Sequence, residues 1–237
     1  MATKEFTHLH VHTEYSMLDG AARLGDLFTH AKELGMKSMA TSDHGFLFGA
    51  FDFWRQAKAH DIKPIIGVEA YLTPGTHRTD RSRVRWGDGS RNDVAGGGAY
   101  THMTMWAETT EGMHNLFRAS SVASLEGQLY KPRMDREVLQ TYSKGLIATT
   151  GCPSGEIQTR LRLGQYQEAV AAAAEFRDSF GKDNSYSEVM DHGLDIERNV
   201  QADLHRLAKE LNLPFVTTND LHYTRQEDHK AHAELLC

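Results

Sequence analysis

The stretch that decides the fold is residues 7–20, Thr-His-Leu-His-Val-His-Thr-Glu-Tyr-Ser-Met-Leu-Asp-Gly. Its first half alternates, with His8, His10 and His12 on one face and apolar residues between them, which is typical of a strand. Because His10 and His12 are two residues apart, both rings point the same way and can reach one metal ion. Asp19 follows in the next loop and can return to that site. We assign a structural role to His8, which begins the strand.

The composition is that of one ordinary soluble domain. The chain has 237 residues, of which 40% are hydrophobic and 24% charged, and α/β barrels of this size are common. A net charge of −6 excludes a protein that is basic throughout, so any binding of nucleic acid must depend on a local patch. The 14 histidines favour a metal site.

The cysteine count and the apolar runs indicate the compartment. The chain has two cysteines, Cys152 and Cys237, which argues against a disulfide framework and for a reducing environment. The sequence contains neither a signal peptide nor an apolar run near the ~20 residues that cross a bilayer. We therefore expect a cytoplasmic protein with no membrane partner.

Strand and helix patterns alternate along the chain and predict a parallel barrel of about seven strand–helix units. The predicted strands cover residues 6–12, 37–41, 64–72, 100–107, 145–150, 185–190 and 214–218. The predicted helices cover residues 24–34, 48–60, 111–126, 135–142, 166–180, 195–212 and 226–237. Residues 73–99 lack a periodic apolar pattern and are expected to form a long exposed insertion. The last helix runs uncapped to the chain end, so we expect residues 1–237 to be one domain from a longer protein.

Metal-ligand residue types recur at or near the predicted strand ends, which converge on one face of a barrel. These residues are His10, His12, Asp19, His44, Glu69, His102, Cys152, Asp220 and His222. Imidazole, carboxylate and thiolate together favour zinc over calcium, with manganese, iron and magnesium as alternatives. Nine ligands exceed the need of one ion and predict two or three divalent ions. Such sites hydrolyse phosphate esters, because one ion lowers the pKa of a water while others hold the phosphate.

Each of these residues also has a purely structural interpretation. A single His102 or Glu69 is more often a satisfied polar group of the core, and a single Cys152 is more often a small buried hydrophobe. The paired histidines of the first strand and the Asp-Leu-His triplet at 220–222 favour metal binding by the residues taken together. Asp43 is a candidate to orient a ligand histidine, and His192 is a candidate to line the site.

Several motifs together resemble one family. These motifs are His-Leu-His-Val-His-Thr-Glu-Tyr-Ser-Met-Leu-Asp-Gly at 8–20, Thr-Ser-Asp-His-Gly at 41–45, Lys-Pro-Ile-Ile-Gly-Val-Glu-Ala-Tyr at 63–71, Lys-Pro-Arg-Met-Asp at 131–135 and Thr-Asn-Asp-Leu-His-Tyr at 218–223. They resemble the PHP (polymerase and histidinol phosphatase) domain, in the form found at the N-terminus of bacterial DNA polymerase III alpha subunits. The resemblance extends from Phe6 to Cys237.

The resemblance implies a distorted (β/α)7 barrel with a trinuclear metal site. Where all ligands are kept, it implies a metal-dependent 3′–5′ exonuclease that proofreads DNA; where ligands are lost, it implies a support for the polymerase and a docking site for a separate exonuclease. All nine positions are filled here, so we expect an active nuclease that acts on a DNA 3′ end. By resemblance Glu69 bridges two ions, and Cys152 with His102 belongs to the third. The polymerase domains would follow Cys237, and other replisome subunits are further expected partners.

Two other functions stay open. A small-molecule phosphatase of the histidinol-phosphate type would use the same metals in a closed pocket, and a metal-stabilised scaffold would dock polymerase and partner subunits without catalysis. The long arginine-bearing insertion argues mildly against the phosphatase. Full ligand occupancy argues against the scaffold, which needs no open metal positions.

Basic residues provide candidate DNA contacts. The insertion carries Arg78, Arg81, Arg83, Arg85 and Arg91 with Trp86, which could grip phosphates and stack a base, or form a solvated loop. Lys131 and Arg133 are expected in a loop near the barrel mouth. Residues 128–130 and 184–188 are more polar than is usual in the family. If these positions face the polymerase body there, polar residues would keep an isolated domain soluble.

Overall fold

The computed structural model describes residues 6–90 and 93–237 and has an α/β fold. The strands of this part are β1 Ser38–Thr41, β2 Lys63–Leu72, β3 Thr101–Ala107, β4 Gln128–Leu129, β5 Lys131–Met134, β6 Leu146–Thr149, β7 Ser185–Val189 and β8 Phe215–Thr217. Its helices are α1 Leu24–Glu33, α2 Ala50–Ala59, α3 Ala95–Gly98, α4 Thr110–Glu126, α5 Arg136–Tyr142, α6 Glu156–Arg162, α7 Tyr166–Phe180, α8 Asp195–Leu211 and α9 His229–Leu235, with a 3₁₀ turn at Gln226–Asp228.

The strands form a distorted barrel in chain order. β1 pairs with β2, β2 with β3, β3 with β6, β6 with β7 and β7 with β8. Residues 8–13 close the ring: the amide of Ala40 donates to the carbonyl of His8 on one side, and the amide of His12 donates to the carbonyl of Leu221 on the other. The predicted α/β barrel is therefore confirmed in its class and its order.

One strand runs against the prediction of an all-parallel barrel. β3 is antiparallel to both of its neighbours, β2 and β6. A parallel return needs a crossover, usually a helix. Between β2 and β3 the described chain offers only α3, a four-residue turn in which Gly96 and Gly97 have left-handed backbone angles. The chain therefore returns beside β2 in the opposite direction.

Four local predictions were also wrong. Residues 6–12 form no continuous strand and are held by isolated bridges, because their neighbours on both sides are short. Lys131–Met134 is a strand rather than a loop, and it extends the sheet at the end of β2. Helix α6 was missed, and the predicted helix 226–237 is a 3₁₀ turn followed by α9.

The alternation along β2 divides its side chains between the core and the barrel interior. Val68, Ala70 and Leu72 pack into the larger apolar core cluster, whereas Glu69 and Tyr71 point to the opposite face. The smaller apolar cluster packs α1 and α2 against Val11, so the chain between His10 and His12 is anchored from outside. Period-two alternation thus delivers polar side chains into the barrel while their neighbours stabilise it.

The polar strand β7 does not face solvent as expected. Ser185, Ser187 and Glu188 are buried, and Glu188 is 0% exposed. The Ser185 hydroxyl donates to the carbonyl of Gly181 and Glu188 accepts from Thr149, so these two side chains serve internal hydrogen bonds rather than a solvated surface. The interpretation that these polar residues serve solubility is therefore wrong for this strand.

Two of the predicted DNA contacts are used inside the fold. Arg133 is 1% exposed and donates to the backbone carbonyls of Gly127, Ala99, Arg78 and Asp80. Arg78 pairs with Asp135, the N-cap of α5, at 3.0 Å and with Glu126 and Glu137 at 2.7 Å. Both guanidinium groups tie the insertion to the barrel, so neither is available to grip a phosphate.

The other basic residues of the insertion are more exposed. Arg83 donates to the carbonyls of Gly96 and Gly97, and Arg81 and Arg85 face solvent. Arg91 lies outside the described residues. Trp86 is covered by the guanidinium of Arg160, 3.7 Å from its ring centroid, so it is engaged with α6. Among the described helices we find none with the length and apolar character that a bilayer span requires.

We expect Arg133→Met to lower the free energy of unfolding by about 3 kcal/mol, because several buried carbonyls lose a charged donor while the side chain keeps its length. Urea unfolding followed by circular dichroism measures this. Arg81→Met is the matched control and should change stability by less than about 0.5 kcal/mol, since Arg81 is exposed. Equal stability of the two variants would contradict the assigned role of Arg133.

Candidate metal centre

The carboxylate of Glu69 lies at the centre of the barrel and is 2% exposed. Its Oε1 is 3.4 Å from Nε2 of His10 and 3.1 Å from Nδ1 of His102. Its Oε2 is 2.6 Å from Nδ1 of His44 and 3.6 Å from Nε2 of His12. The structure thus gathers these predicted ligands around one carboxylate.

A second carboxylate, Asp19, closes the outer side of the cluster. Its Oδ2 is 2.6 Å from Nε2 of His44 and 3.0 Å from Nε2 of His222. The ring of His12 lies between these two imidazoles, with centroids 4.1 Å from His44 and 4.3 Å from His222. Asp19 and His222 come from opposite ends of the chain, and ring closure brings them together.

Asp220 and Cys152 complete the set. Oδ1 of Asp220 lies 3.3 Å from Nε2 of His10 and 3.2 Å from Nε2 of His12. Asp220 has a left-handed backbone (φ 44°), a conformation that costs free energy in a non-glycine residue and often marks functional sites. Sγ of Cys152 lies 3.1 Å from Oε1 of Glu69. All nine predicted ligands therefore lie in one contiguous cluster.

The cluster contains three overlapping groups whose ligand atoms lie within 4.8 Å of one another. The groups are His12–Asp19–His44–His222, His10–His12–Asp220 and His44–Glu69–His102. Because His12 and His44 each belong to two groups, the arrangement suits neighbouring cations that share ligands. Cys152, next to His102 and Glu69, adjoins the third group.

The buried polar atoms of the cluster fit a bound cation. His10 Nε2, His12 Nε2, His44 Nδ1, Glu69 Oε2 and Asp220 Oδ1 are buried and each lies 2.6–3.6 Å from another atom of this set, yet none makes a hydrogen bond of good geometry among the described residues. An orphaned buried polar atom costs about 1–3 kcal/mol, so several that converge on one volume need compensation. Divalent cations of the zinc class compensate imidazole and carboxylate donors together.

The electrostatics of the cluster keep its carboxylates ionised. Burial acts to raise the pKa of Asp19, Glu69 and Asp220, but the neighbouring imidazoles outweigh it and hold the pKa of all three well below the usual range. All three carboxylates are therefore ionised at neutral pH, the state in which a carboxylate binds a metal ion.

The histidines divide into two kinds. Burial lowers the pKa of His12 to about 4, so its ring is neutral at pH 7 and offers a lone pair. Burial also acts to lower the pKa of His44, but Glu69 and Asp19 outweigh it and raise the pKa to about 10. Burial and the charge of Glu69 raise the pKa of the Cys152 thiol. Cations bound here would replace these protons, so binding should release protons.

Glu188, at the end of β7, positions His10 from outside the cluster. Its Oε1 lies 2.8 Å from Nδ1 of His10, and the hydroxyls of Thr149 and Thr218 donate to the carboxylate at 2.6 Å each. This contact holds the Nδ1 proton toward Glu188 and turns Nε2 toward Glu69 and Asp220. Sequence reasoning missed this role; the signal was an isolated Glu on the interior face of a strand.

Asp43, the predicted orienting residue, is connected to His12 through a serine. Asp43 accepts hydrogen bonds from the amide of Thr13 at 2.7 Å and from the Ser16 hydroxyl at 2.7 Å. The same Ser16 oxygen lies 3.1 Å from Nδ1 of His12. The ring of His12 is thus fixed by a buried polar relay.

His192 lies outside the cluster. Its Nδ1 is 2.6 Å from Oε1 of Glu197, and its Nε2 is 2.7 Å from the carbonyl of Asn219. It therefore fixes the loop that carries Asp220 and does not face the candidate ligands.

An open cleft of about 470 Å³ leads to the cluster. Asp19, His44 and His102 form its floor, and Lys131 and several aromatic rings form its walls. Among the predicted DNA contacts, Lys131 lines this cleft, with Nζ 5.4 Å from the ring centroid of Tyr71. A cleft of this kind gives a phosphate ester access to the cluster.

Comparison with known proteins agrees with this geometry. A family model described as the PHP domain matches residues 8–192. The chain belongs to the PHP domain family. The resemblance noted in the sequence is thereby confirmed.

The curated relatives of this PHP domain are much longer proteins. It is 54% identical over 246 residues to the DNA polymerase III subunit alpha of Saccharopolyspora erythraea, and the match covers 100% of this chain and 20% of that protein. It is 52% identical over 239 residues to the same subunit of Mycobacterium tuberculosis, with 100% and 20% covered. The PHP domain thus spans about one fifth of the relatives it matches.

Solved structures share the fold of the PHP domain. An amidohydrolase from Chromobacterium violaceum with bound sulfate aligns with a TM-score of 0.54 at 13% identity, covering 94% of this chain and 89% of that one. A two-domain protein from Bacteroides vulgatus, described as containing a predicted PHP-like metal-dependent phosphoesterase, aligns with a TM-score of 0.53 at 15% identity, covering 95% and 55%. At these identities the likeness concerns the fold alone.

We expect Glu188→Gln to weaken divalent-metal affinity about 10- to 100-fold, because a carboxylate no longer holds the ring of His10. Competition with a chromogenic chelator measures the affinity, and circular dichroism checks the fold. Glu210→Gln is the control, since Glu210 lies far from the cluster and pairs with Tyr166 at the surface. Unchanged affinity in Glu188→Gln would rule out the positioning role.

Proposed function

We propose that this PHP domain is a metal-dependent 3′–5′ exonuclease that removes mismatched nucleotides from DNA. The observation that carries the proposal is the Glu69-centred cluster, in which buried ligand atoms without hydrogen bonds of good geometry lie beside an open cleft. The similarity to DNA polymerase III alpha subunits supports DNA as the substrate and a role in replication.

The candidate ligands for two or three divalent ions are the nine residues of the cluster. Zinc is favoured by the mixture of imidazole, carboxylate and thiolate, with manganese, iron or magnesium as alternatives. When bound, such ions polarise a phosphate and lower the pKa of a water molecule. Glu69 would be a candidate ligand shared between ions, since its two oxygens face different histidines.

The chain's own residues supply orientation and charge. Glu188 and the Asp43–Ser16 relay fix the rings of His10 and His12, so Nε2 of each ring faces the cluster without rearrangement. Lys131 supplies a positive charge at the cleft that can meet a phosphate oxygen of the substrate. These roles match the needs of phosphodiester hydrolysis, in which charge on the phosphate must be held in place.

The shape of the cleft favours a polymeric substrate. Met17, Leu18 and Phe48 on its rim are 79%, 77% and 69% exposed, so a strand can enter from solvent without a lid opening. A histidinol-phosphate type phosphatase would use the same ligands with a closed pocket, which this open rim does not favour. A metal-stabilised scaffold would also satisfy these ligand atoms, but it would not need an open cleft that leads to them.

In its cell the domain would act in the cytoplasm, on the DNA 3′ end produced by the polymerase domains of its parent chain and together with other replisome subunits. The relatives' length supports this setting, because the matched region is about one fifth of each.

Degradation of a 3′-mismatched primer–template tests the proposal. We expect His12→Ala and Asp220→Asn each to lose at least about 100-fold in rate, because removing a ligand costs at least as much as removing its outer partner. Chelator should abolish cleavage by the unmodified chain. His30→Ala and Asp178→Asn, at exposed sites on α1 and α7, are matched controls that should keep full activity.

A negative result contradicts the proposal only when the protein is shown to contain metal. If elemental analysis finds divalent metal in the unmodified chain and no terminal nucleotide is released, the exonuclease proposal fails. Release of nucleotide that persists in both ligand variants would place the activity outside this cluster.

A further inference from the structure

Two stacked phenylalanines form one wall of the cleft beside the metal cluster. The rings of Phe46 and Phe48 lie 4.5 Å apart, centroid to centroid, and are nearly parallel at 13°. Both line the cleft together with Asp19 and His44. We propose that Phe48, backed by Phe46, is the platform on which the 3′-terminal base of the DNA stacks during cleavage; this inference rests on the proposed exonuclease function.

The ring of Phe48 is largely exposed although a partner ring lies beside it. Phe48 is 69% exposed although its inner neighbour Phe46 is partly buried. One face of Phe48 is thus covered by Phe46, and much of the remaining ring faces solvent inside the cleft. An exposed aromatic face beside a phosphate-processing site matches base stacking, which tolerates every base because every base has a π-face.

The loop that carries the two rings is held rigidly. A side chain at Gly45 would lie 2.8 Å from the ring of Tyr71, and one at Gly49 would lie 2.6 Å from the ring of Tyr15. The backbone therefore packs directly against a tyrosine on each side of the phenylalanine pair. Tyr15 is itself fixed by a 2.7 Å hydrogen bond to Asp52. A preorganised platform loses less entropy when it binds a base.

The cleft also offers partners for the phosphate of a nucleotide. Lys131 lines the same cleft and offers a charge for a phosphate, and the ligand cluster forms the floor. The overall charge of −6 gives DNA no general attraction to this chain, so local contacts must provide the binding. Base stacking on Phe48 and the positive charge of Lys131 provide such contacts.

The rim next to Asp19 extends the apolar surface. Met17 and Leu18 are 79% and 77% exposed, and Leu18 has a left-handed backbone (φ 66°). That conformation is unfavourable for leucine, so its presentation at the cleft is maintained by the surrounding loop. The two side chains line the same cleft as Phe48 and add apolar surface for the sugar of a stacked nucleotide.

Binding of an oligonucleotide that carries 2-aminopurine at its 3′ end tests the platform directly. Its last linkage is a phosphorothioate, which slows cleavage, and the protein carries its divalent metal. We expect fluorescence quenching on binding, about 10-fold weaker binding by Phe48→Ala, and recovery in Phe48→Tyr. Phe51→Ala is the matched control, because Phe51 is 70% exposed, stacks on Trp54 and lies outside the cleft.

A second substrate separates the loss of base stacking from other causes of weaker binding. An oligonucleotide with an abasic 3′-terminal residue should bind the unmodified chain about 10-fold more weakly, as judged by anisotropy, and Phe48→Ala should weaken that complex no further. Equal binding of intact DNA by Phe48→Ala and Phe51→Ala would overturn the platform. Binding that depends on Phe48 without any cleavage of an ordinary phosphodiester would support the platform and contradict the exonuclease function, so the two failures are distinguishable.

Discussion

The carboxylate of Glu69 is the group on which the rest of the site depends. It is buried in the middle of the barrel and lies within 3.6 Å of imidazole nitrogens from the N-terminal segment, from the loop after β1 and from β3. A buried carboxylate is unfavourable unless positive charge surrounds it. The barrel therefore needs either protonated histidines or divalent cations at this point, and the geometry of the other ligands follows from that need.

The outer residues explain why the cluster keeps its shape. Glu188 on β7 accepts hydrogen bonds from the hydroxyls of Thr149, at the end of β6, and Thr218, just after β8. The same carboxylate holds the ring of His10. Asp43 similarly ties the segment 13–16 to the end of β1. These hydrogen bonds link consecutive barrel elements through the same residues that orient the candidate ligands. Barrel closure and ligand orientation are thus one network, and a cation bound at its centre would stabilise both.

Local patterns predicted which polar side chains would lie together in the barrel, because residue type and strand period are both local. His10 and His12 share a face for the same reason that Val11 faces the apolar cluster. The direction of β3 depends on how the chain returns after a long loop, and a local sequence pattern cannot predict that direction. One clue was present: His102 stands at the start of its strand, and only a reversed strand brings that end to the ligand face. The roles of Arg133 and Glu188 depend on contacts with distant residues, so a basic motif and a polar strand were both misinterpreted as surface features.

The most direct test of the account is the melting temperature of metal-stripped protein as zinc or manganese is added. A site formed by unsatisfied, ionised donors in the folded state should bind cations that the unfolded chain does not hold in the same way. The account predicts a melting temperature that rises with metal concentration, because a cation that binds only the native state stabilises it more as its concentration exceeds the Kd. A melting temperature that stays constant over the whole range of added zinc and manganese would contradict the claim that the Glu69 cluster is a metal centre.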